Sequence, residues 1–159
     1  MVNMLEQVST TERIMKGKVI SVNISKEKGQ KKTSVGKVWI EEDFGLRDDA
    51  HAGEGLRQVS LLAQESIEKM RAKGLEVKPG DFAENITTEG IDLTCLPLGT
   101  RLAIGEEVLV ELTQLGKVCH DPCAIFYQVG ECVMPTEGVF ARVLKSGRVK
   151  VGDQITIVE

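Results

Sequence analysis

Residues 99–112 read GTRLAIGEEVLVEL, and residues 146–159 read SGRVKVGDQITIVE. Each stretch runs from a glycine into a short apolar strand, through Gly-Glu or Gly-Asp, and into a second alternating run. A period of two marks a strand with one face buried, and a glycine between two such runs marks the turn. The pair predicts two hairpins, turning at Gly105 and at Gly152. Outward from these, KGKVISVNIS (residues 16–25) is a third strand-like stretch. KKTSVGKVWIEEDFG (residues 31–45) gives another strand around Val35 to Ile40, interrupted at Gly36. One helix is predicted, in RQVSLLAQESIEKMRAKG (residues 57–74). Ser60 would cap it, Ala63, Ile67 and Met70 share a face, and Gly74 closes it in a left-handed turn. Many short strands with glycine turns predict a mostly β fold, a barrel or sandwich with a few short helices. Residues 1–15 read as a tail or lead-in, and residues 16–159 as a single domain without an internal linker.

Composition narrows the function. The chain has 159 residues and a formal net charge of −4, which gives no electrostatic case for nucleic acid. No apolar run approaches the roughly 18 residues of a membrane span. The first residues, MVNMLEQVSTTERIM, lack the basic start and apolar block of a secretory leader. A cytoplasmic protein is expected, in which Cys95, Cys119, Cys123 and Cys132 are thiols or ligands rather than disulfides.

Residues 116–126, GKVCHDPCAIF, crowd Cys119, His120 and Cys123 together, although the chain has only 4 cysteines and 2 histidines. Asp121 suits a helix N-cap and Pro122 the first helical position. Cys123 would then lie in the first turn, where free N–H groups and the helix dipole lower a thiol's pKa. Lys117 and His120 would add positive charge, and Asp121 opposes it. Three alternatives stand beside a reactive Cys123: a buried structural cysteine, a Cys119–Cys123 redox pair, and a zinc site of Cys119, Cys123, Cys132 and a histidine. The spacing is not a standard zinc pattern.

Four ordered motifs carry a resemblance: GLRDDAHAGEGLRQVSLLAQES (residues 45–66), GDFAENITTEGIDLTCLPLGTRLAIG (80–105), GKVCHDPCAIF (116–126) and MPTEGVFARVLKSGRVKVGDQI (134–155). Together they resemble the MOSC domain family, named after the C-terminal part of molybdenum cofactor sulfurases, and in particular its small stand-alone bacterial members. The resemblance spans residues 16–158. It implies a closed barrel of the pyruvate-kinase-barrel type. It also implies binding of a molybdopterin-type cofactor, or handling of its sulfur, through a cysteine matching Cys123, with Cys119 second. A non-catalytic module that delivers the cofactor to a molybdoenzyme or cofactor biosynthesis protein is the alternative, as is a structural zinc domain. Full sulfurases place a pyridoxal-phosphate desulfurase domain ahead of this one. Nothing in these residues supplies it, so pyridoxal phosphate enters only by family association. The family often has glycine where this chain has Asp48, which puts the local turn in question.

A phosphate-bearing pterin needs fixed positive donors. Within the motifs these are His51, Arg57 and Arg142, with Lys117 and His120 beside the cysteines. Asp49 could orient His51. Asn85 could read a pterin edge with its amide, against the alternative that it only satisfies a turn.

Overall fold

The computed structural model describes residues 16–27, 30–50, 52–53, 55–116 and 137–158. In chain order the elements are β1 (Lys16–Ile24), β2 (Thr33–Ser34), β3 (Lys37–Glu41), β4 (Gly45–Leu46), β5 (Val59–Ala63), α1 (Gln64–Ala72) and β6 (Ile86–Glu89). A 3-10 turn (Leu93–Cys95) follows, then β7 (Arg101–Ile104), β8 (Val108–Leu115), β9 (Val139–Lys145), β10 (Gly147–Lys150) and β11 (Gln154–Val158).

Seven strands close into a barrel in the order β11-β7-β8-β9-β5-β6-β1, with β1 pairing back onto β11. This bears out the mostly β barrel. The single parallel pair in the ring is β5–β6, and α1 is the crossover that a parallel pair requires. Strand β2 hangs from the end of β1. A second sheet, β10-β3-β4, sits at one end of the barrel, where Asp43 N donates to the Val143 carbonyl at 3.0 Å. At the other end Leu115 pairs with Val139, and Gly116 N donates to the Gly138 carbonyl at 2.6 Å. Gly116 and Gly138 thus lie side by side at that end.

Alternation decides which side chains fill the barrel. Val19, Leu61, Ile86, Leu102, Val110, Ala141 and Ile155 point inward and are almost wholly buried. The lumen is packed with hydrocarbon. On the outer wall, Leu62, Ile67, Met70, Val77, Phe82 and Phe140 form a second cluster under α1.

Two local expectations are corrected. The helix does not begin after Ser60. Residues Val59–Ala63 are a barrel strand buried on both faces, Leu61 inward and Leu62 against the helix, and such a run reads equally as helix or strand. The helix starts at Gln64, and its N-cap Ala63 supplies no side-chain bond. It ends as expected at Gly74, whose φ is +94°. The second correction concerns residues 146–159, which turn at Gly152 but do not form a hairpin. Strand β10 pairs with β3, whereas β11 pairs with β7 and β1. The turn is pulled apart because Val151 N bonds the Gly36 carbonyl and Gly152 N the Val19 carbonyl, at 2.9 and 2.8 Å. The other predicted hairpin, β7–β8, is formed in full register.

Candidate functional site

The motif DDAHAG leaves β4 and is held from below by a buried ion pair. Lys32 Nζ lies 2.7 Å from Asp49 Oδ1, and neither side chain is exposed. Asp49 Oδ1 also accepts from Ser25 N at 3.0 Å, and its Oδ2 accepts from Asn85 Nδ2 at 3.0 Å. Burial alone would raise the Asp49 carboxyl. The bonds from Lys32, Asn85 and Ser25, with the Lys32 charge, outweigh it and hold the group below the usual carboxylate range. The loop after Asp49 is therefore clamped onto the barrel wall at its first turn.

Asn85 completes the clamp. Its Oδ1 accepts from Ser60 N at 3.0 Å, and its amide also donates to the Asn23 carbonyl at 3.3 Å. Both ends of the amide are engaged within the protein, and the residue is 1% exposed. In the turn before it, Glu84 accepts from Gly80 N, Phe82 N and Thr87 Oγ1 at 3.0, 3.2 and 2.7 Å. Burial dominates there and raises the Glu84 carboxyl despite those three donors. Gly80 has φ +93°, and a Cβ on it would run into the Lys32 carbonyl. The GDF turn and the Lys32 strap thus close on each other only through a glycine.

Arg57 and Arg142 lie outside the barrel, not in its lumen. Arg57 is exposed, with its guanidinium carbon 6.0 Å from the Phe140 ring centroid. Thr113 Oγ1 donates to the Leu56 carbonyl, so the arm before β5 lies along the outer wall of β8 and β9. Arg142 leaves that same wall, two residues beyond Phe140. It makes an exposed ion pair with Asp43 at 3.4 Å. Gln58 ties the arm down, donating to Asp43 Oδ1 at 2.9 Å and accepting from Val143 N at 2.9 Å. Arg57 has no anionic partner among the described residues.

His51, Lys117, Cys119, His120, Cys123 and Cys132 lie outside the described residues. Cys95 is exposed, donates to Asp92 Oδ2 at 3.0 Å, and has its thiol pKa raised by that hydrogen bond and by the Asp92 charge. The residues that sequence reading missed are Lys32, Ser25 and Asn23. A lysine in a polar loop carries no signal that it will be buried.

The fold is similar to that of several solved structures. The YUAD protein of Bacillus subtilis matches it with a TM-score of 0.75 at 19% identity, covering 90% of this chain and 96% of that one. YiiM from Geobacillus stearothermophilus scores 0.65 at 21% identity, covering 90% of this chain and 75% of its own. YiiM from Escherichia coli scores 0.61 at 19% identity, with coverages of 90% and 68%. These likenesses carry the fold alone. No curated protein matches the sequence. The sequence profile of the MOSC domain matches residues 48–156, and the chain belongs to the MOSC domain family, which is associated with the molybdenum cofactor. Asp48, where the family often has glycine, has φ +68°, a conformation that aspartate tolerates better than most residues. Among the described residues no helix is long and apolar enough to cross a membrane.

Proposed function

We propose that this protein holds a molybdopterin-type cofactor, or the sulfur destined for it, against the outer wall of β8 and β9. Cys123 is the sulfur-carrying thiol and Cys119 its alternative. The observation that supports this most is Arg57. Its guanidinium lies over Phe140, the second residue of β9, and it lacks an anionic partner among the described residues. A guanidinium so placed fits a phosphate, to which it presents forked donors. Arg142 on the same wall is held only by an exposed ion pair, which costs little to exchange.

Arg57 and Arg142 would hold the phosphate, and His51, Lys117 and His120 would complete the positive surface. When bound, the cofactor would supply a metal centre able to accept sulfur. The protein's own step is simpler. The Cys123 thiolate attacks the outer sulfur of a persulfide donor, an S–S bond forms to Cys123, and the donor's thiolate leaves. A thiol at a helix start, as Asp121 and Pro122 suggest, would be ionised at neutral pH. Asn85, fully engaged with Ser60, Asn23 and Asp49, serves this reading by fixing the loop that carries His51.

Timed alkylation followed by peptide mass spectrometry tests the thiol. Cys95, held back by Asp92, is an internal slow reference. Cys123 should alkylate faster than Cys95 by about tenfold or more near neutral pH. Equal rates across about pH 6–9 would defeat the reactive-thiol mechanism. Native mass spectrometry of protein from cells making the cofactor separates the two roles. Cys123→Ser that keeps a pterin mass increment leaves a binding module without transfer. Loss of that increment in Arg57→Ala is the expected result in either case.

A further inference from the structure

The second sheet carries a cleft that the sulfur chemistry does not use. It has a volume of about 320 Å³ and is lined by Trp39, Lys37, Arg148, Arg47 and Asp48 over an apolar floor that includes Val35. Trp39 and Lys37 leave one face of β3. Their neighbours across the ladder are Arg148 and Lys150, so Lys37 and Arg148 are diagonal neighbours, within reach of one shared anion. The opposite face of the same strands sends Ile40 and Val149 into the core, and this fixes which side chains face the cleft.

Three features point to a ligand. The side chains of Lys37 and Arg148 form no ion pair or hydrogen bond among the described residues, although acidic residues outnumber basic ones 24 to 20 in the chain. These two cations, beside an Arg47 whose exposed pair with Glu41 spans 3.3 Å, face the Asp48 carboxylate and make a local positive field on an acidic protein. Arg47 packs over the Trp39 ring, 5.5 Å from its centroid, so the cleft already contains a stacked planar pair. The Trp39 indole N–H is buried and makes no hydrogen bond among the described residues, leaving a donor in the wall without an acceptor.

The geometry points to a binding site for a small phosphorylated planar heterocycle, of the size and chemistry of a nucleoside monophosphate. Its phosphate would bridge Lys37 and Arg148. Its ring would lie against Trp39 and Val35, and the Asp48 carboxylate would accept a ring or sugar donor. The volume is at the lower end for small-molecule sites, which suits one nucleotide rather than a dinucleotide. The site lies on β3 and β10, at the end of the barrel opposite Gly116 and Gly138, and its lining includes no cysteine.

The chain has a single tryptophan, so its fluorescence reports on this cleft alone. We expect AMP, GMP, CMP or UMP to change Trp39 emission saturably. The corresponding nucleosides and inorganic phosphate should each bind about tenfold more weakly or worse. Lys37→Ala and Arg148→Ala alter exposed side chains and should each weaken the nucleotide about tenfold, while Arg57→Ala should leave it unchanged. Calorimetry with Trp39→Phe gives a second readout that does not need the fluorophore. No response to any of the four nucleotides at about 5 mM would overturn the proposal. So would a response to inorganic phosphate equal to that of the nucleotides, or one that Lys37→Ala and Arg148→Ala leave intact.

Discussion

The barrel lumen and the polar layer on its outer wall are equally dry, yet they are held by opposite kinds of force. In the lumen, Val19, Leu61, Ile86 and Val110 are buried by the non-directional exclusion of apolar area from water. In the outer layer, Asn23, Lys32, Asp49, Glu84, Asn85 and Thr87 are equally hidden, and each is tolerable only because named partners satisfy it. The difference teaches where the chain is plastic. A lumen position can shrink and leave a partly collapsing void. A polar position that loses its partner leaves a buried charge or donor with nowhere to go.

The largest effect should therefore come from the polar layer. Asp49→Ala takes the carboxylate from the buried Lys32 ammonium and removes an acceptor of Asn85 Nδ2 and of Ser25 N. It should cost about 4 kcal/mol in urea denaturation, against about 3 kcal/mol for Leu61→Ala in the lumen. A larger loss for Leu61→Ala would mean that the outer layer is not the more brittle of the two. The same Asp49→Ala protein should also lose Arg57-dependent binding, because the loop between them loses its clamp.

The two buried carboxyls sharpen the contrast through pH. Asp49 is held low, so the stability it contributes is present above the unfolded value near about 4 and is lost as acid protonates it in the folded state. Glu84 is held high, so the fold favours its protonated form. Its contribution falls as pH rises from about 4 through the raised folded value. Glu84→Gln should flatten that alkaline-going decline, and Asp49→Asn should flatten the acid loss. Denaturation midpoints measured across pH decide it, and unchanged slopes in both variants would contradict the assignment.

The smallest effect is a gain. Ala83, between Phe82 and Glu84, has φ +64°, where a side chain is strained and glycine is not. Ala83→Gly should stabilise by up to about 1 kcal/mol, less what the freer unfolded chain takes back. Loss of stability instead would show that the Ala83 methyl packs usefully in the turn.

Much of the barrel was legible because its cause is local. The alternation at Leu102, Ile104, Val108 and Val110 marks β7 and β8, and Gly105 marks their turn. The break at Gly36 and the stop at Gly74 were equally readable. The start of α1 was not, because Val59–Ala63 is apolar on both faces and a run of that kind has no period to distinguish strand from helix. The turn at Gly152 was visible, but the partners of its two strands were not, since β10 finds β3 more than a hundred residues earlier in the chain. For the candidate site, Arg57 and Arg142 could be picked from their motifs, while their place on the outside of the barrel came only from the direction in which β9 presents Phe140 and Arg142.

By itself, then, the order of residues determined the strand periods, the glycine turns and the family motifs, since these depend on neighbours a few positions apart. Lys31 and Lys32 show what it left open. They are adjacent and chemically identical, yet Lys31 is exposed and Lys32 is 3% exposed. Only the tertiary structure separates them, by bringing Asp49 to 2.7 Å from one ammonium and, among the described residues, no such carboxylate to the other. Burying a charge is unfavourable until a distant partner arrives, and that arrival is a property of the assembled fold.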